Sequence, residues 1–91
     1  MADDPAPHPP TIWTPLSGNG KSHTTSPLAV KVTIVVHTPT GGPERARPTV
    51  NGAPVRGDAR HVIESQSGYN VAPITVETNA GNNDLVILEE F

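Results

Sequence analysis

The side chains with reactive potential are few, and their spacing decides how to read them. Residues 17–22 read Ser-Gly-Asn-Gly-Lys-Ser, the ending of a phosphate-binding loop in which backbone N–H groups cradle phosphate and the lysine reaches its oxygens. Such a loop needs a glycine where this chain has Pro15, and it needs a strand before it and a helix after it. Here the flanks are a proline-rich stretch and Ser-His-Thr-Thr-Ser-Pro, so the match is coincidental. The four histidines, His8, His23, His37 and His61, form no i, i+2 or i, i+4 pair, so a zinc site built with Asp58 or Glu64 is not indicated. Ser22 adjoins His23, yet adjacency in sequence does not aim a base at a hydroxyl, and no GxSxG elbow is present. Glu89 and Glu90 point to opposite sides of any strand and cannot share acid–base work. Residues 79–84 (NAGNND) offer oxygens but lack the spacing and the bidentate glutamate of a calcium loop, and they read as a tight turn. With no cysteine there is neither a disulfide nor a thiolate metal site. No catalytic residue, metal or cofactor is expected, and the chain is read as a non-enzyme.

The elements that would position any binding surface are more legible. Residues 28–37 (LAVKVTIVVH) alternate strictly. Leu28, Val30, Val32, Ile34 and Val36 share one face, while Ala29, Lys31, Thr33, Val35 and His37 share the other. This is the central strand, half-buried. Residues 38–43 break it. Asn51-Gly52 between Val50 and Val55 is a strong hairpin signal, because both central positions of a type I′ turn require positive φ. Pro54 cannot donate to a ladder and places this hairpin at a sheet edge. Residues 60–65 and 72–78 read as further strands. The run Leu85-Val86-Ile87-Leu88 is apolar on both faces, which requires a central position in the sheet or pairing with another chain. The chain is therefore expected to be all-β: a small sandwich or barrel of five to six short, mostly antiparallel strands.

Six of the eleven prolines precede residue 28, so residues 1–27 read as an extended Pro-rich N-terminal arm and residues 28–91 as the compact domain. Fully extended at about 3.1 Å per residue, the arm would reach roughly 80 Å. Its apolar cluster is Thr11-Ile12-Trp13-Thr14. Trp13, the only tryptophan, either plugs the end of its own domain or anchors the arm in a neighbour's pocket. A domain of this size buries only about 60% of its unfolded surface, so it is expected to gain stability by association. Homo-oligomerisation, for instance as a trimer, and docking on a larger protein partner are the expected modes. Six basic against nine acidic residues, with no basic–aromatic clustering, argue against nucleic acid. No apolar window is long enough to cross a membrane. The start MADDPAPHPP lacks the bases and apolar core of a signal peptide, so the protein is expected to be soluble and cytoplasmic at synthesis.

In layout, an arm ending in Thr25-Ser26-Pro27 followed by a β-domain, the chain resembles the small decoration, or cement, proteins of tailed-bacteriophage capsids. That resemblance implies a virion-surface structural protein, often trimeric, whose arm ties it to the major capsid protein. The expected contacts are Ile12 and Trp13 on the arm, together with Val50, Asn51, Gly52 and Val55 at the hairpin. The alternative is a β-sandwich binding module that recognises a protein or glycan through that hairpin and adjacent loops. The NGxPV turn is similar to one in carboxypeptidase regulatory-type domains. A small inhibitor of another protein is a third possibility.

Overall fold

The computed structural model describes residues 11–38, 46–65, 69–79 and 83–91. Residues 1–10 of the expected arm, all but Thr38 of the break at 38–43, and parts of the turns at 66–68 and 80–82 lie outside the described residues. The described chain is all-β. Its strands are β1 (Thr11–Gly18), β2 (Ser22–Thr24), β3 (Lys31–Val36), β4 (Thr49–Val50), β5 (Ala53–Pro54), β6 (Ala59–Glu64), β7 (Thr75–Glu77) and β8 (Asn83–Glu90). They form two four-stranded sheets with the orders β1-β8-β3-β6 and β2-β7-β4-β5, and every pairing is antiparallel. The small antiparallel sandwich expected from the alternation is what forms.

The core follows from the alternation on the central strands. Val32, Ile34 and Val36 of β3 and Leu85 and Ile87 of β8 point inward and are almost fully buried, joined by Leu16 of β1. They meet Val76 of β7 together with Ala29, Val71 and Ile74. Each such aliphatic side chain contributes roughly 1.5–3 kcal/mol by leaving water.

Polar groups close both ends of this apolar layer. At one end the Asn83 side chain accepts from the Asn79 N–H at 2.7 Å and donates to the Ala46 carbonyl at 2.9 Å. At the other, buried Glu89 accepts from the Ser26 N–H at 2.6 Å and lies 2.9 Å from the His23 ring Nε2. Glu89 belongs to one sheet and His23 to the other, so this contact ties the two layers together. A carboxylate in such a place is tolerated because its oxygens are partnered.

Three local expectations give way to the packing. The expected boundary at residue 28 is crossed by the sandwich, since β1 and β2 both come from the stretch read as an arm. Among the described residues, six strands (β3 to β8) lie within 28–91, as expected there, and β1 and β2 are added to them. Pro15 made β1 look unlikely, but β1 is an edge strand. The His37 N–H donates to Asp84 O, so even-numbered residues of β8 bond to β3 and odd-numbered ones to β1. Pro15 lies opposite Val86, and its missing donor therefore faces the free edge, where no ladder bond is lost. Second, the central strand begins at Lys31. Leu28 lies in a turn and is exposed, as is Val30, because Ala29 N–H folds back to Ser26 O and Val71 N–H takes Ala29 O. Third, β7 is only Thr75–Glu77, shorter than 72–78. Thr25 captures both backbone groups of Ile74, its N–H donating to Ile74 O and its Oγ1 accepting from Ile74 N–H.

Candidate interaction surface

Residues facing away from the core on the first sheet are as informative as those facing in. The register aligns them in rows across all four strands. Trp13 lies beside Leu88, Leu88 beside Thr33 and Thr33 beside Val62. In the next row Pro15, Val86, Val35 and Arg60 are aligned in the same way. Between these rows lies a groove of about 400 Å³ lined by Trp13, Thr33, Val35, His37, Arg60, Val86 and Leu88. Trp13 is 66% exposed and Val62 47% exposed on this face, while Val35, Val86 and Leu88 are half-buried by their neighbours. Charges frame it. Glu90, Lys31 and Glu64 form one rim, with Lys31 Nζ 3.4 Å from Glu64 and 3.9 Å from Glu90. His37 and Arg60 stand toward the other.

An apolar face with charged rims suits the side chains of another protein. It offers large exposed hydrophobes in one plane, the arrangement that marks interaction sites on proteins of this size. A solvated tryptophan at its margin has the character of an interface anchor, having large apolar area and few rotamers.

The expected contact residues divide between the two sheets. Trp13 is on the outer face of the first sheet. Ile12, on the same strand, faces the opposite side across from Glu89 at the sandwich end and is half exposed. The hairpin lies in the second sheet. Asn51 and Gly52 have φ of 50° and 84°, as a type I′ turn demands, and Pro54 is on the edge strand β5. Val50 and Val55 pack against the core, and Asn51 is held to β7 by Thr75 N–H donating to its Oδ1 at 2.9 Å. Trp13 and the hairpin are therefore not brought together. Val35, Val62, Val86 and Leu88 were not singled out by the sequence reading. The signal for Val35, Val86 and Leu88 is that β3 and β8 carry apolar residues on their second face as well, while Val62 of β6 joins them through the register.

The remaining chemical candidates are scattered. The Gly-Lys-Ser stretch is the crossing from β1 to β2, with Gly20 N–H on Thr78 O and Lys21 N–H on Thr78 Oγ1, and no helix follows. His23 is committed to Glu89, while His61 Nε2 lies 3.2 Å from Arg56 O. His8 lies outside the described residues. Among the described residues no three His, Asp or Glu side chains converge as metal ligands, and no helix is long and apolar enough to cross a membrane. Comparison of the chain with protein-family models, curated proteins and solved structures returns no match.

Proposed function

We propose that this protein is a non-enzymatic structural accessory subunit that docks on a larger protein assembly through the outer face of the β1-β8-β3-β6 sheet, with Trp13 as its anchor. The observation that supports this reading is the row Trp13–Leu88–Thr33–Val62: three large apolar side chains in register, interrupted by Thr33, on a sheet face that no other described element covers. A capsid decoration protein at the virion surface, contacting the major capsid protein, is the form of this role that the layout resembles. Many copies on one lattice would act multivalently, so that modest single contacts suffice.

Co-sedimentation tests it. The tagged full chain, expressed in its source cells, is expected to travel with large particles through a density gradient, and the Trp13→Ala variant to stay at the top. A wild-type chain that stays at the top, or a variant that travels equally well, would contradict the proposal.

A second reading has its own observation. A cleft of about 380 Å³ lined by Asn51, Glu64, Tyr69, Asn70, Val71 and Ile74 combines exposed amides, a carboxylate and an exposed tyrosine, a mixture suited to a glycan or a polar peptide. Tyr69→Ala would abolish binding on that reading and leave docking intact on the first.

A further inference from the structure

Among the described residues the sandwich has four edge strands, and three of them are blunted. β1 carries Pro15, with its missing donor facing outward. β5 is two residues long and contains Pro54, and β2 has only three residues. Short strands, edge prolines and edge charges are devices that keep β-sheets from pairing with other chains. β6 is neither short nor interrupted by proline, and its edge charges, Arg60 and Glu64, are opposite in sign. It runs for six residues, Ala59–Glu64, without proline or glycine, and no described strand lies beyond it. Its hydrogen-bonding phase is set by Ser65 N–H donating to Val30 O, an in-register pair. Residues 59, 61 and 63 therefore bond to β3. The N–H and C=O groups of Arg60, Val62 and Glu64 point out of the sheet.

The order of side chains on that edge is self-complementary. Antiparallel pairing of two copies of β6 about Val62 places Val62 against Val62 and Arg60 against Glu64 at both ends. This register is also in phase, since all three outward residues become hydrogen-bonded pairs. Shifting it by two residues in either direction loses one of those pairs and breaks the charge match. Arg60 and Glu64 both lie on the outer, exposed face, where cross-strand pairs of opposite charge are favourable. Glu64 would then sit between its own Lys31, at 3.4 Å, and the second copy's Arg60.

We infer that the protein forms a twofold homodimer by antiparallel β6–β6 pairing, joining two four-stranded sheets into one continuous eight-stranded sheet. A twofold contact of this kind closes, and so yields a dimer rather than a trimer or a fibre. It also joins the two rows Trp13–Leu88–Thr33–Val62 end to end, doubling the length of the outer apolar face. The inference does not rest on which partner that face takes.

Sedimentation equilibrium of the full chain over a wide concentration range tests it. A dimer is expected. Arg60→Glu is expected to raise its dissociation constant about tenfold, because two attractive pairs become repulsive. The double variant Arg60→Glu with Glu64→Arg is expected to restore it. Val62→Pro is expected to raise the constant by about a hundredfold or more, since it removes the central donor from each copy. Its circular dichroism should stay that of the folded chain, because the Val62 N–H has no role within the monomer. A chain that remains monomeric at millimolar concentration overturns the inference. So does a dimer indifferent to Val62→Pro and to the charge swap, and so does failure of the double variant to restore pairing. Loss of the dimer in Trp13→Ala but not in Val62→Pro would assign self-association to the outer face instead.

Discussion

Both faces of the β1-β8-β3-β6 sheet carry large apolar side chains, and these meet different fates. The inner face carries Leu16, Val32, Ile34, Val36, Leu85 and Ile87, all buried against the second sheet. The outer face carries Trp13, Val35, Val62, Val86 and Leu88, and no described element covers it. The difference teaches that an apolar strand face states a demand for burial without saying what meets it. On one side the chain meets the demand itself. On the other the demand is left for another molecule, and that is the basis of the functional proposal.

Substitutions on the two faces should therefore differ in what they break. Ile34→Asp should have the largest effect, placing a carboxylate in the apolar layer without a partner and costing several kcal/mol, enough to unfold a domain this small. Loss of the cooperative thermal transition would register it, and a normally folded variant would mean that the faces are reversed. Leu85→Ala, a cavity in the same layer, should cost about 2–5 kcal/mol, read from denaturant midpoints. Glu89→Ala should cost about 1–3 kcal/mol, because the Ser26 N–H and the His23 ring lose their partner at the end of the core. Trp13→Ala should have the smallest effect on stability, within about 0.5 kcal/mol, as expected of an exposed surface position. That same variant should have a large effect on docking. A drop of many degrees in its melting temperature would move Trp13 into the core and remove the distinction between the faces.

Much of the sandwich could be read from alternation and turn chemistry. β3, the Asn51-Gly52 hairpin with its edge proline, β6, and the central placement of β8 all followed from period two, β-branching and positive-φ residues. β1 and β2 did not, because Pro15 and the polar Ser22-His23-Thr24 look like tail. Only the strand order shows that Pro15 sits where its missing donor is harmless. The candidate surface was legible in one residue, Trp13, whose isolation made it conspicuous. Its neighbours Leu88, Val35 and Val62 come from three other strands. They meet it through the order β1-β8-β3-β6 and its register, long-range facts that alternation within one strand does not contain.

The central claim, that the outer face stands open in the free chain, can be tested most directly through Trp13, the single tryptophan. Acrylamide quenching of its fluorescence in the dilute, folded full chain should approach that of the urea-unfolded chain, with an emission maximum characteristic of a solvated indole. A blue-shifted emission protected several-fold from the quencher would place Trp13 inside the fold and contradict the account.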